Sequence, residues 1–355
     1  MKYSALILAS LFYAVTSDVI AQSLTITDQN DREVTLEGPA ERVVTIPIPA
    51  ASMFIALDGG TEHLAGMHPR SKTAVMEGVL GTFFPQSKEI PSDVVGEGFM
   101  PNVEALLALD PDLVFQWAHR GDDIIDPLLN AGLNVLTFRY GTDELARGWI
   151  EMMGTVVGNP EKSKRLIGWR EEVLAEIEAQ SAGLDDTEKP RTMYFLRFLE
   201  DLRVAGDDVF QNVSIGIAGG QNPAADGAGW RSVNREQILA WDPEIILLNG
   251  FETELTPGHV YADPVLQDVS AVRNRRIYKM PLGGYRWDPP NQESPLSWMW
   301  LAMVLHPERF DFPLRQAIAE NYQWIYGQTP TSAQIDDILR LEIHDDAAGY
   351  DRFKG

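Results

Sequence analysis

Two stretches of the chain carry the same succession of apolar and polar positions. Asn102 to Trp117, NVEALLALDPDLVFQW, and Asn234 to Gly250, NREQILAWDPEIILLNG, align on their asparagines; they share Glu104/Glu236, Leu107/Leu239, Ala108/Ala240 and the pairs Asp110-Pro111 and Asp242-Pro243. In each, Leu106, Leu107 and Leu109, or Ile238, Leu239 and Trp241, give a short helix one apolar face. The proline then stops the helix. An unbroken apolar run follows, Leu113 to Phe115 or Ile245 to Leu248, as in a parallel strand covered by helices on both faces. A helix-strand unit repeated once at long separation predicts an α/β protein of two similar lobes with mostly parallel sheets. Ligands in such sheets bind beyond the carboxyl ends of strands. Trp117 to Arg120 and Asn249 to Phe251 are therefore expected to face a cleft between the lobes.

The remaining pattern fills in around these copies. Leu24 to Thr27 and Glu33 to Leu36 flank a polar turn and read as a hairpin. RVVTI, Arg42 to Ile46, is a buried strand broken by Pro47 and Pro49, and Ala50 to Leu57 is a short helix closed by Gly59-Gly60. His63 to Met67 is a further strand, and Pro69 to Gly98 reads as an irregular excursion around the cleft. Helical signals run from Thr142 to Gln180 with one break at Gly158-Asn159-Pro160. A long helix between lobes would restrain their motion. The second lobe opens with the strand Arg191 to Leu199, continues through a helix Val209 to Ile217, and ends in helices near Ser294–Leu305, Pro313–Tyr326 and Ser332–Leu341. The expected division is a leader at 1–21, a lobe at 22–141, a connecting helix at 142–182 and a lobe at 183–355, with Asp345 to Gly355 a mobile tail.

Composition narrows the function. The first residues, MKYSALILASLFYAVTSDVIAQS, pair Lys2 with an apolar run and a small-residue site at Val19-Ile20-Ala21, the pattern of a cleavable secretory leader. No other stretch is long and apolar enough to span a bilayer. The chain has no cysteine, which excludes disulfides, thiolate metal sites, a catalytic thiol and a lipid-modified cysteine. An exported protein of this kind fits a Gram-negative periplasm. A formal charge of −23 argues against nucleic acid.

No nucleophile elbow, Walker sequence, HExxH pair or dinucleotide fingerprint is present. Instead, arginines and aromatics collect at strand ends: Trp117, Arg120, Arg197, Trp230, Arg231, Tyr285, Arg286 and Trp287, with Pro47 and Phe99 in neighbouring loops. Guanidinium forks suit carboxylate, catecholate or hydroxamate oxygens, and aromatic rings make rigid apolar walls. Each also has a structural reading. Trp117 could plug a core, Arg197 could pair internally with an acid such as Glu200, and Trp230 and Arg231 could cover the following helix. Of the six histidines, His68 and His119 are candidate metal ligands from one lobe, and the second offers only His259 in a suitable loop.

With these motifs in view, the chain resembles the periplasmic substrate-binding proteins of ABC importers for ferric siderophores, haem and cobalamin. The resemblance rests on the leader, RVVTI before its Pro-containing loop, the two helix-Asp-Pro-strand copies and the central helix. It implies two α/β lobes bridged by a rigid helix, a ligand held between them and no enzymatic chemistry or cofactor. It also implies a monomer that captures an anionic ferric siderophore, or alternatively haem, cobalamin or another metal chelate, for an inner-membrane ABC permease. By similarity Arg120 stands where relatives often carry an arginine, Tyr285 where some use a tyrosine to reach iron, and Trp230 in another ligand-facing loop. Two departures stand out. No histidine near Trp230 serves as an iron ligand, and Met53 and Gly216 occupy the positions of the glutamates that dock on the permease, with Asp58 and Asp207 or Asp208 nearby. The rival readings are a secreted two-lobed enzyme and a sensor subunit.

Overall fold

The computed structural model describes residues 23–355, so the expected leader lies outside the described residues. The predicted hairpin pairs β1 (Leu24–Thr27) with β2 (Glu33–Leu36). Two separate sheets follow. The first, ordered β4-β3-β5-β6, is parallel throughout and contains β3 (Val43–Thr45), β4 (Leu64–Met67), β5 (Leu113–Trp117) and β6 (Val135–Phe138). The second is ordered β11-β10-β7-β8-β9. Its parallel half is β7 (Thr192–Arg197), β10 (Ile245–Leu248) and β11 (Ile277–Lys279); β8 (Arg203–Ala205) and β9 (Trp230–Ser232) extend it antiparallel. Two α/β lobes with mostly parallel sheets result, as the repeat implied.

The two repeat copies build the same local structure. Helix Val103–Leu109 starts at Asn102, whose side chain accepts from the Ala105 N–H, and helix Arg235–Trp241 starts at Asn234, whose side chain accepts from the Gln237 N–H. Each stops one residue before its proline, where Asp110 (φ 46°) and Asp242 (φ 40°) turn left-handed. The chain is thereby redirected into β5 and β10, which are buried along their whole length.

The helical stretch after β6 divides at Gly158 into Asp143–Val156 and Pro160–Ser181, which pack on each other. The longer one also packs against Ser294–Leu305, a helix buried on every side because apolar residues cover its whole circumference. Arg170, fully buried, donates to Asp143 and to the Asn291 carbonyl and lies 4.8 Å from the Trp298 ring. One apolar core consequently runs from the first sheet through these helices into the second lobe.

Two expectations need correction. Pro69 to Gly98 is largely helical: Pro69–Glu77 forms a full helix because Pro69 fits a first turn and His68 caps it, its Nδ1 accepting from the Arg70 N–H at 2.9 Å. The C-terminal residues are no loose tail. Tyr350 and Phe353 are buried, and the Tyr350 ring stacks on His344 with centroids 3.9 Å apart.

Candidate functional site

A cavity of about 770 Å³ opens between the lobes. The segments that follow β3, β4, β5 and β6 form one wall, contributing Ile48 and Pro49, Arg70, His119 and Arg120, and Tyr140; Trp117 and Phe99 join them. The facing wall holds Leu196, Arg203, Asp208, Gln211, Trp230 and Phe251, with Tyr285 and Pro289 from the loop after β11. Most of this lining stands at carboxyl ends of parallel strands, where the sheets leave room between helices.

The first wall is aromatic with a cationic edge. Trp117 lies edge-on to Phe99, Tyr140 and Trp149 at centroid distances of 6.2, 6.2 and 5.6 Å, and the Arg120 guanidinium covers the Phe99 ring at 4.3 Å. Phe99 holds a left-handed backbone, φ 70°, which costs a bulky residue on the order of 1 kcal/mol. The Gln116 amide donating to its carbonyl at 3.1 Å and the Val95–Pro101 bridge fix that conformation. Arg203 pairs with Asp201 at 2.7 Å, whereas Arg70 and Arg120 have no carboxylate partner among the described residues. Two guanidinium groups are thus left free to meet anionic oxygens.

The floor is polar and buried. Tyr285 is fully buried and lines the cavity, and among the described residues neither its hydroxyl nor the Trp117 indole N–H has a hydrogen-bond partner. Burial pushes the Tyr285 phenol above its ordinary range, opposed by the adjacent Arg286 charge. Tyr140 donates to Gln211 Oε1 at 2.9 Å, and Gln211 Nε2 donates to the Asp288 carbonyl at 2.9 Å, so one chain of bonds crosses the base of the cleft. The loop carrying Tyr285 is anchored by Glu293, a buried carboxylate accepting from the Gly284 N–H at 2.9 Å, Trp287 Nε1 at 2.7 Å, the Tyr322 hydroxyl at 2.7 Å and the Tyr326 hydroxyl. A β-carbon on Gly283 or Gly284 would collide with Glu293 and these tyrosines.

Of the residues singled out from sequence, Phe99, Trp117, Arg120, Trp230 and Tyr285 line the cavity, as does His119. Pro47 is buried beside the lining residues Ile48 and Pro49. Arg197 bonds to the Leu196 carbonyl, and Glu200 is no partner to it among the described residues. Arg231 turns to Asp226 and the Ala224 carbonyl. Arg286 is buried, donating to the Gly250 carbonyl at 2.6 Å and pairing with Glu77 of the first lobe at 3.3 Å. Trp287 is 1 % exposed and committed to Glu293. None of these four side chains is among those lining the cavity, because each is held by partners elsewhere. His68 is buried outside the cavity, and burial pulls its pKa down to about 4; no group of three or more His, Asp or Glu suited to a metal ion occurs among the described residues. Burial and the Arg120 charge likewise lower the pKa of His119.

Arg70, Tyr140, Arg203 and Gln211 are lining residues that the sequence reading did not single out, and Asp208, named there only as an acid near a docking position, lines the cavity too. Arg70 lies in the stretch expected to be irregular. Asp208 and Gln211 sit at the start of helix Phe210–Ile217, where a polar residue ordinarily reads as a solvated helix start.

Residues 86–282 match the family model described as periplasmic binding protein. The molybdate-binding protein MolA of Haemophilus influenzae is 23% identical over 96% of this chain and 100% of that protein. Its molybdate-bound structure superimposes with a TM-score of 0.74 over 87% of this chain and 99% of the other. A periplasmic solute binding protein from Veillonella parvula is 29% identical with a TM-score of 0.82, over 91% of this chain and 99% of that one. A cobalamin-binding protein of Halobacterium salinarum is 27% identical over 71% of this chain and 64% of its own length.

Proposed function

The chain belongs to the periplasmic binding protein family, and from that premise we propose that it captures an anionic ferric siderophore between its lobes and hands it to an ABC permease of the inner membrane. On this reading it works in the periplasm as a monomer, without chemistry of its own; lobes 22–141 and 183–355 are joined by 142–182. No helix among the described residues is long and apolar enough to cross a membrane.

The observation that carries the ligand class is the juxtaposition in one cavity of about 770 Å³ of two guanidinium groups, Arg70 and Arg120, with an aromatic wall and the Tyr285 hydroxyl, all three polar groups unpartnered among the described residues. Cavities of roughly 300–1,000 Å³ suit ligands of drug size, and a chelate wrapped in aromatic or hydroxamate groups is of that size. The arginines would meet its outward oxygens, the rings its apolar faces, and the Tyr285 hydroxyl an oxygen or the metal itself. A second reading, a compact oxyanion, is favoured by the full-length similarity to the molybdate-binding protein and by the same two arginines. Against it stands size: a tetrahedral oxyanion displaces only a few water volumes, each roughly 30 Å³. Haem and cobalamin would rely on the rings more than on the arginines.

Titration of tryptophan fluorescence separates these readings, because Trp117 and Trp230 stand in the cavity wall. Ferric catecholate, ferric hydroxamate, haem, cobalamin and molybdate are the ligands to compare. Arg120→Ala is expected to weaken an anionic ferric chelate by roughly 10- to 100-fold, the worth of one or two charge-assisted hydrogen bonds. A neutral chelate should lose far less. Equal losses for both would remove the ion-pairing role, and quenching by molybdate alone would replace the chelate reading with the oxyanion one.

A further inference from the structure

Resting on the chelate reading, we propose that Asp208 selects chelates bearing a cationic group, in the simplest case an ammonium, at the end that meets the second lobe. The cavity is sorted by charge. Among the described residues its unpaired cations, Arg70 and Arg120, belong to the first lobe, and the one lining carboxylate, Asp208, belongs to the second. Asp208 forms no ion pair among the described residues, although Arg203 lines the same cavity. Asp201 holds Arg203 at 2.7 Å instead.

The carboxylate is also built into position. The backbone before it is stitched to the loop opposite, the Gly206 N–H donating to the Gly229 carbonyl at 2.8 Å and the Asp207 N–H to the Gly227 carbonyl at 3.0 Å. The approach is so close that a β-carbon on Gly206 would strike that loop's backbone. Across this contact the Gly229 N–H donates to Asp208 Oδ1 at 2.5 Å. One oxygen is therefore fixed, and among the described residues Oδ2 has no hydrogen-bond partner. Opposite charges that share a cavity without pairing leave a gap for a ligand of matching polarity, anionic toward the arginines and cationic toward Asp208. A chelator made from a basic amino acid, with its metal-binding oxygens at one end and a free amine at the other, has that polarity.

The test compares two probes that differ by one charge per chelator: the ferric complex of 2,3-dihydroxybenzoyl-lysine, with its free side-chain ammonium, and the same complex with that amine acetylated. Wild-type protein is expected to bind the ammonium form about fivefold tighter, as for one partly exposed ion pair of about 1 kcal/mol. Asp208→Asn keeps an oxygen to accept from Gly229 and removes the charge, so it should bind both probes alike while melting at the wild-type temperature. Equal binding of both probes by the wild type, or a preference that survives in D208N, overturns the role of Asp208 and leaves the chelate reading standing. Binding of neither probe overturns this inference and, if the other ferric chelates also fail to bind, the chelate reading with it.

Discussion

His344 is 2 % exposed, yet both ring nitrogens are satisfied: Nε2 accepts from the Lys279 N–H at 2.8 Å, and Nδ1 donates to the Arg340 carbonyl at 2.8 Å. The ring is therefore neutral with its proton on Nδ1. Burial, seconded by the charges of Arg340 and Lys279, pulls its pKa down to about 3 against the Arg340 carbonyl, which favours the protonated form. Between pH 3 and 6.5 the unfolded chain binds a proton at this residue that the native protein refuses. The associated stability is complete above pH 6.5 and drains away as the pH falls toward 3. His68, lowered to about 4 by burial, adds a second contribution over a narrower window. Each is worth up to about 1.4 kcal/mol per pH unit. Urea unfolding midpoints are expected to fall steadily from pH 6.5 to pH 4.5, and His344→Gln, which can still donate and accept, should flatten part of that slope. An unchanged slope would place the acid sensitivity elsewhere.

The repeated helix-strand element explains both what could be read from the chain and what could not. Its two aspartates adopt the same left-handed backbone but differ in their side chains. Asp242 accepts from the Ser270 N–H at 2.7 Å and from the Ser270 hydroxyl at 2.8 Å, whereas Asp110 is exposed. Asp110→Gly is expected to leave the thermal melting point unchanged or raise it, since glycine tolerates the left-handed region better. Asp242→Gly should lower stability by about 1–3 kcal/mol through the loss of two hydrogen bonds, and equal effects at the two sites would show that the caps act through backbone alone. Backbone signals of this kind are local, so the lobes, the strands and the break at Gly158 were legible from residue order. The same logic placed Phe99, Trp117, Arg120, Trp230 and Tyr285 at strand ends or in neighbouring loops, and all five line the cavity. Spacing alone does not say which way an arginine turns. Arg286 and Arg231 share that neighbourhood but are drawn to Glu77 and Asp226, acids distant in sequence or on a turn of their own. Asp208 passed unnoticed as a ligand contact because its contacts come from a glycine loop that only tertiary structure brings near.

At the scale of the whole molecule, the lobes are held at several points besides the bridging helices. Around the cleft, the Val79 N–H donates to the Gly283 carbonyl at 3.1 Å, Arg286 pairs with Glu77 at 3.3 Å, and Gln328 donates to the Phe83 carbonyl at 2.9 Å. At its base, Tyr140 meets Gln211 at 2.9 Å, and Ser52 donates to Gln292 at 3.3 Å. A hinge that opened widely would have to break these contacts together and expose the core that runs between the lobes. Capture is therefore expected to proceed without large closure, with lobe displacements under about 1 Å, as in pre-organised complexes. Small-angle scattering profiles with and without a bound ferric chelate should superimpose, and the observed association rate should rise linearly with ligand concentration. A rate that saturates, or a profile that contracts on binding, would show that the lobes open first and that the seam around Gly283 breaks in solution. In the rigid case, selectivity is set before the ligand arrives, by where Arg70, Arg120, Asp208 and Tyr285 already stand. Substitutions at these positions should then change dissociation more than association.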